Sequence, residues 1–480
     1  MSEAPLILGV SGLRGVVGQS LTHEVAVRFA AAFGGWLRER LDGRDGLVAI
    51  ASDGRRNHET IYQAAIAGLV SSGHRVIPMG VAMTPTVGVA ADAWGCDGAI
   101  ICTASHNPQE WNGLKALLAG PGDPAAAPTA AQAESLVQAF QDARDLPPHR
   151  DGTVDPTRRD APAAHADRVA SAIDLRGRDV RVVVDSVNAS GTEAVRLFTD
   201  RVGTESVQLH GSSSGVFPHP PEPTKENLSS AGGLCDAVPE TGADVGFAQD
   251  PDADRLAIVD ERGAYIGEEY TLALAAESLL SAMGDNANGA VLVANLSTSR
   301  MIDDVAAHHG AEVVRTPVGE ANVAERMKQL RAEGRNVVLG GEGNGGVIWP
   351  KITHVRDSLS AMGLVLALMT RTGQPVSSLV EIINGYSRGG NGYAIVKRKA
   401  PLARKEDAAP ALETLAARYQ AERVDRQDGV RIDFTGDRAG AWVHVRPSNT
   451  EPILRLICEA PDTRTAEAIL DEIAGVVGAA

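Results

Sequence analysis

Aromatic residues make up only 4% of this 480-residue chain, so a packed core must rest on Ala, Val, Leu and Ile, a mixture that suits an α/β protein. Lysine is scarcer still: seven occur, Lys115 and Lys225 among them, and most cationic positions fall to Arg. Cys96, Cys102, Cys235 and Cys458 form no C-x-x-C pair and show no metal-ligand spacing, so four buried free thiols in a reducing cytoplasm are expected. No run of about 18 apolar residues appears, and Met1 to Gly9 lacks a charged segment leading into an apolar one; no membrane span and no export are expected. Positive charge is in deficit as well. A net charge of −16 without a basic stripe argues against nucleic acid as a partner, while a small anionic substrate held by a few local arginines stays compatible.

What the chain does contain is a repeat. Strand patterns at Val48 to Ser52, Arg75 to Pro78 and Gly98 to Cys102, with a helical stretch at Thr60 to Ser71, are followed by Thr103-Ala104-Ser105-His106-Asn107-Pro108. A second set, Val180 to Val184, Ser206 to Leu209 and Ala243 to Phe247, runs into Asp250-Pro251-Asp252-Ala253-Asp254-Arg255. A third, Ala290 to Ala294, Glu312 to Arg315 and Asn336 to Leu339, runs into Gly340-Gly341-Glu342-Gly343-Asn344-Gly345-Gly346. Strands separated by helices imply βαβ crossovers and largely parallel sheets, with ligands outside the carboxyl ends of the strands, where all three loops fall. From about Gly373 the pattern breaks into a helix at Ala409 to Arg418, strands near Gly429 to Phe434 and Ala441 to Val445, and a final helix with apolar Ala466, Ile469, Leu470, Ile473 and Val477. The expected architecture is three similar α/β domains with largely parallel mixed sheets (1–155, 156–262 and 263–372) and a smaller α+β domain (373–480), around a central cleft. Leu146 to Ala163 and Arg371 to Pro375 read as linkers, and the Ala/Pro/Gly run Ala119 to Ala131 as a mobile surface insertion.

Each loop carries its own chemistry. Ser105 stands between a strand and a polar turn, where its hydroxyl can be exposed and the following backbone N–H groups can stabilise an anion; His106 or Lys115 can manage a proton. Asp250, Asp252 and Asp254 project alternate carboxylates, hard oxygen donors suited to Mg²⁺, and no His or Cys accompanies them to favour zinc; Arg255 can hold a phosphate or orient one of these carboxylates. Glu342 and Asn344, flanked by glycines, suit sugar hydroxyls. Arg446-Pro447-Ser448-Asn449-Thr450-Glu451-Pro452 combines a guanidinium, hydroxyls and an amide into a phosphate cradle.

Together with Gly9-Val10-Ser11-Gly12-Leu13-Arg14-Gly15 near the N-terminus, these loops resemble the α-D-phosphohexomutase superfamily, which includes phosphoglucomutases, phosphomannomutases and phosphoglucosamine mutases; the resemblance spans nearly the whole chain. It implies four domains around a cleft, Ser105 as the phosphorylated residue, and Asp250, Asp252 and Asp254 binding Mg²⁺ with the phosphoryl group of Ser105. It also implies Arg14 and His106 beside the phosphoserine, Lys115 as a proton-transfer group, and Glu342 and Asn344 on the sugar. Arg446, Ser448, Asn449 and Thr450 match the loop that grips the non-reacting phosphate. The implied reaction interconverts hexose 1-phosphate and hexose 6-phosphate through a 1,6-bisphosphate, which also serves as activator.

Two segments depart from the common pattern. Where many members have Glu-x-Ser-Gly-His, this chain has Glu342-Gly343-Asn344-Gly345-Gly346, and Thr316-Pro317-Val318-Gly319-Glu320 carries Glu where glucose/mannose enzymes often have His. Both look like the archaeal-type branch, and the charge of Glu320 favours the amino group of glucosamine phosphate; phosphomannomutase/phosphoglucomutase is the alternative. A phosphoserine-forming sugar phosphatase and a non-catalytic sugar-phosphate sensor are more distant readings.

Overall fold

The computed structural model describes residues 5–10, 12–143, 149–157, 159–175, 179–448 and 452–478. Three of its four sheets share one motif. In the first, Arg75–Val81, Leu47–Ser52 and Gly98–Cys102 run parallel and Trp111–Gly120 returns antiparallel beside the last. Glu205–Leu209, Arg181–Asp185, Val245–Gln249 and Leu256–Val259 repeat that order in the second sheet. Glu312–Thr316, Val291–Asn295, Val337–Glu342 and Gly346–Ile348 repeat it in the third. Each functional loop therefore joins the third strand to the antiparallel fourth, at the carboxyl end of the parallel strands. The first sheet is extended to eight strands by Ile7–Gly9, Gly12–Val16, Asp123–Ala126 and Thr153–Val154.

The strands read as continuous apolar runs because both faces are covered. Val48, Ile50, Ile100 and Cys102 pack into a core on one face of the first sheet, and Ala49, Ala51, Ala99 and Ile101 into another on the opposite face. The second and third sheets share one core, in which Phe198 and Phe247 meet Leu292 and Leu339. Helix Ser358–Thr372 threads through it, and an Asp357 carboxylate oxygen accepts from the amide of Leu359 at its start. Its sequence, SLSAMGLVLALMTRT, has no long polar face because twelve of its residues are buried. The fourth sheet, Ala394–Pro401, Ile453–Ala460, Trp442–Pro447, Val430–Asp433 and Arg423–Asp425, is antiparallel throughout and covered by Ala408–Arg418 and Thr463–Val476.

Three details differ from the sequence reading. The Ala119 to Ala131 stretch is no loose insertion: Asp123–Ala126 pairs with Trp111–Gly120, and Ala125 and Ala126 are buried against neighbouring elements. Alanine has little preference for strands, so only the packing reveals it. Cys235 is half-buried while the other three thiols are buried. Helix Val376–Tyr386, which the expected boundary at 373 puts in the last domain, buries Val376, Leu379 and Ile383 in the core of the second and third sheets. Among the described residues, no helix is long and apolar enough to cross a membrane.

Candidate active site

Ser105 follows its strand by three residues and adopts a left-handed backbone with φ of 49°. The same conformation recurs in the other two loops, at Ala253 (φ 53°) and Gly345 (φ 83°), so each repeat turns its loop in the same way. A non-glycine residue held there costs free energy that the surroundings must supply. For Ser105 they do: its amide donates to Thr103 Oγ1 at 2.8 Å and its carbonyl accepts from Arg55 Nη2 at 2.6 Å. Arg55, 1% exposed, is in turn paired through Nε with Asp53 Oδ2 at 2.8 Å, and Thr103 Oγ1 donates to the same carboxylate at 2.7 Å. The amide of Asn107, one of those expected to serve an anion, is spent on the Ala104 carbonyl.

The serine hydroxyl donates to Asp250 Oδ2 at 3.0 Å, which joins the first loop to the second. His106 Nδ1 lies 3.3 Å from the same hydroxyl; burial, then the charges of Arg255 and Arg14, lower the His106 pKa to about 3, so the ring is neutral near pH 7. Arg14, on strand Gly12–Val16, donates to Asn107 Oδ1 at 3.3 Å and so stands over the serine turn.

Asp250, Asp252 and Asp254 each offer an oxygen, all within 4.8 Å of one another. Burial, then mutual repulsion, raises Asp250 well above the usual carboxylate range and raises Asp252 also. Burial works to raise Asp254 too, but Arg356, Lys115 and Arg255 prevail and pull it down. Thr84 Oγ1 donates to Asp252 Oδ2 at 2.8 Å, whereas Asp252 Oδ1 and Asp254 Oδ1 are buried with no hydrogen-bond partner among the described residues. Converging carboxylates with orphaned oxygens and no nitrogen or sulfur donor fit a hard divalent cation such as Mg²⁺. Arg255 follows directly, its amide donating to Asp250 Oδ1 at 3.2 Å and its Nη1 lying 3.8 Å from Glu222.

The third loop joins this cluster through a residue that sequence reasoning missed. Buried Arg356 donates to Asp254 Oδ2 at 2.5 Å and to Glu342 Oε2 at 2.7 Å, and its amide donates to Glu320 Oε1 at 3.0 Å. It stands just before helix Ser358–Thr372; its only trace in the sequence is a charged pair, Arg356-Asp357, ahead of a mostly apolar helix. Lys115 Nζ lies 3.2 Å from both Asp254 Oδ2 and Glu320 Oε2. Burial works to lower its pKa, but Glu320, Asp254 and Asp252 raise it to about 12, so it is an ammonium. Glu342 is occupied as well, its Oε1 accepting from Asn295 Nδ2 at 2.8 Å and the Gly319 amide at 3.0 Å. Asn344 is half-buried, with Oδ1 accepting from the Gly346 amide at 3.3 Å. Asp53, Arg55, Thr84 and Asn295 also went unread, although Asp53-Gly54-Arg55 follows a buried strand at its carboxyl end, where such residues warrant notice.

On the fourth sheet, Arg446 Nε pairs with Asp428 Oδ2 at 3.2 Å, and that oxygen also accepts from the Val318 amide at 3.1 Å. Arg446 is thereby linked to the segment that carries Glu320. Ser448 is buried, its amide donating to the Ile453 carbonyl at 3.0 Å. Asn449 and Thr450 lie outside the described residues.

A serine, three converging carboxylates and a ring of arginines at the mouth of repeated α/β units have the make-up of a phosphoryl-transfer site. Models of the phosphoglucomutase/phosphomannomutase family match the chain in four consecutive pieces. These are alpha/beta/alpha domain I over residues 5–143, domain II over 163–263, domain III over 268–386 and the C-terminal domain over 395–476. A phosphoglucomutase/phosphomannomutase of Thermococcus kodakarensis is 32% identical over 478 residues, covering 97% of each chain. A probable phosphoglucosamine mutase of Methanopyrus kandleri is 33% identical over 482 residues, covering 98% of this chain and 97% of that one. The crystal structure of a phosphoglucomutase/phosphomannomutase family protein from Burkholderia thailandensis superposes with a TM-score of 0.80 at 28% identity, covering 98% of both chains. The chain belongs to the phosphoglucomutase/phosphomannomutase family and is an isomerase of the phosphohexomutase class.

Proposed function

We propose that the chain interconverts hexose 1-phosphate and hexose 6-phosphate with Ser105 as phosphoryl carrier. The observation that supports this most is the 3.0 Å hydrogen bond between the Ser105 hydroxyl and Asp250, which sets the nucleophile against a carboxylate cluster suited to hold a divalent cation. Mg²⁺, held by Asp250, Asp252, Asp254 and the phosphoryl group on Ser105, would supply charge neutralisation there. In the first half-reaction a sugar hydroxyl attacks phosphorus, the sugar O–P bond forms and the Ser105 Oγ–P bond breaks; the hydroxyl loses a proton and Ser105 Oγ regains one. His106, 3.3 Å from the serine hydroxyl, and Lys115, between Asp254 and Glu320, are proposed to carry that proton traffic, and Arg14, hydrogen-bonded to Asn107, to stand beside the phosphoserine. The bound 1,6-bisphosphate then reorients and returns its other phosphate to Ser105, and added hexose 1,6-bisphosphate acts as activator. Arg255 is proposed to contact phosphate, Glu342 and Asn344 the sugar, and Arg446, Ser448, Asn449 and Thr450 the non-reacting phosphate. The domain boundaries at 155 and 262 belong to the same proposal, and the packing of helix Val376–Tyr386 with the third unit moves the last boundary from 372 to beyond Tyr386.

For the sugar, glucosamine phosphate is the preferred reading, supported by relatives named probable phosphoglucosamine mutase. The charge of Glu320 does not support it, because one carboxylate oxygen accepts from the Arg356 amide and the other from Lys115. Glucose and mannose phosphates form the second reading, favoured by the relative named phosphoglucomutase/phosphomannomutase. A panel of hexose 1-phosphates with a trace of 1,6-bisphosphate, followed by formation of the 6-phosphate, tests class and sugar together. Ser105→Ala is expected to abolish turnover while still binding sugar phosphate; normal turnover by that variant would overturn the mechanism.

A further inference from the structure

Asp185, His210 and His219 come together outside the loops assigned to the reaction. Asp185 ends strand Arg181–Asp185, and the segment from His210 to His219 leaves the edge strand Glu205–Leu209 and crosses toward the first domain. Its tip is held there: the Gly215 carbonyl accepts from the Arg56 amide at 2.8 Å and from Gln109 Nε2 at 3.0 Å, and the Arg55 guanidinium lies 5.3 Å from the Phe217 ring centre. Gly215 has φ of 66°, and a Cβ on it would come within 1.9 Å of the Gly54 carbonyl, so the approach is backbone to backbone. The strap thus presses on Arg55, which holds the Ser105 carbonyl.

Both ends of the strap return to one oxygen. His210 Nδ1 lies 3.0 Å and His219 Nε2 2.9 Å from Asp185 Oδ2, while Asp185 Oδ1 accepts from the Val187 amide at 2.9 Å. His219 Nδ1 is 2.8 Å from the Pro220 carbonyl, an acceptor only, so that nitrogen carries the hydrogen of a neutral ring. Its Nε2 then turns a lone pair toward a carboxylate oxygen, a repulsive contact unless something positive lies between them. That something is either an extra proton or a metal ion.

We propose that Asp185, His210 and His219 bind a borderline divalent transition-metal ion of the Zn²⁺ type that pins both ends of the strap. Two imidazole nitrogens and one carboxylate are the donor set of such ions, whereas Mg²⁺ takes oxygen donors, so this site and the aspartate triad select different metals. The three ligand atoms already lie within 4.8 Å of one another. Bonds of about 2.0–2.1 Å to a tetrahedral zinc place ligand atoms roughly 3.3 Å apart, so the pairs at 2.9 and 3.0 Å need open by only a few tenths of an ångström. Asp185 is buried, and the side chain of His210 is 26% exposed, which leaves the ion a route in and a place for water as fourth ligand. The ion closes the strap at its base and leaves its tip set against Arg55 and Gln109.

The test uses the full chain, stripped with a chelator and then saturated with Mg²⁺. Titration with Zn²⁺ by calorimetry and elemental analysis is expected to give one tightly held ion per chain, and Co²⁺ in its place to give the visible absorption of a four-coordinate nitrogen/oxygen site. His210→Ala and His219→Ala are each expected to weaken Zn²⁺ binding about 100-fold or more and to remove the cobalt band. No uptake of Zn²⁺ by the unaltered chain means that a proton bridges the cluster and overturns the proposal. Zn²⁺ retained at full affinity by both variants places the ion at the aspartate triad and overturns it equally.

Discussion

The residue at the carboxyl end of the first parallel strand is polar and buried in all three repeats: Asp53, Asp185 and Asn295. Each makes the same local turn, its Oδ1 accepting from the amide two residues on, Arg55 at 3.0 Å, Val187 at 2.9 Å and Ser297 at 2.8 Å. The second side-chain atom separates them. Asp53 spends it on Arg55 and Thr103, which shape the serine turn, and Asn295 on Glu342 of the third loop. Asp185 spends it on two histidines of a strap that reaches into the neighbouring domain. One repeated position thus supports the repeat's own loop twice and ties two domains together once. The loop of the second repeat does without it, being held instead by Thr84 and by the amide of Arg255.

Removing the side chain in the first repeat is expected to do most harm. Asp53→Ala leaves the Arg55 guanidinium buried without its carboxylate, a loss of about 3–5 kcal/mol, read as a fall in the urea midpoint together with loss of turnover. The milder Asp53→Asn keeps the turn but removes the charge; displacement of the serine by a fraction of an ångström is expected to lower kcat on the order of 100-fold. The same change at Asp185 is expected to lower kcat by less than about tenfold. Equal losses at the two positions would show that the strap matters to the chemistry as much as Asp53 does. Between these extremes lies Asn295→Asp, which sets a carboxylate against Glu342 at a contact now 2.8 Å long. About 1–3 kcal/mol of stability is expected to go with it, and kcat/KM should fall more than kcat if the third loop grips the sugar. A variant as stable and active as the parent chain would mean that Asn295 and Glu342 part freely.

Much of this comparison is legible in the order of the amino acids. The parallel strands are short apolar runs covered on both faces, and a run such as Val48 to Ser52 cannot be read otherwise once a helical period follows it. The loops stand out because Ser105, the alternate aspartates and the glycines around Glu342 recur at one place in each repeat. Hidden from the sequence is whatever depends on contact between distant parts of the chain. Arg356 meets Asp254 and Glu342 from 102 and 14 residues away, and nothing in its neighbours marks it as the residue that joins two loops. His210 and His219 likewise lie in a Ser-, Gly- and Pro-rich stretch that reads as an ordinary turn, and only the return to Asp185 gives them a common partner. The strand Asp123–Ala126 escapes notice for the opposite reason: its alanines say little alone, and a hairpin partner decides their fate.

The third loop also rests on a carboxyl whose replacement has the smallest expected effect. Glu269, at the start of helix Glu269–Met283, lies so close under the third loop that a Cβ on Gly343 would fall 2.0 Å from its Oε2. Burial raises its pKa from 4.5 to about 8, against the opposing influence of Lys397 and the Ser299 amide. A carboxyl whose folded-state pKa is raised holds its proton longer in the folded chain than in the unfolded one. Stability should therefore fall as pH climbs from about 4.5 to about 8 and level off above that. The side chain keeps some solvent contact, so the fall is expected to be on the order of 1–2 kcal/mol rather than the full value of such a shift. Glu269→Gln removes the titration: measured by urea unfolding at pH 5 and pH 8, the variant should gain on the parent chain as pH rises. A gap that stays constant between the two pH values would mean that Glu269 is ionised in the folded chain throughout, and that the floor of the third loop is wetter than its packing implies.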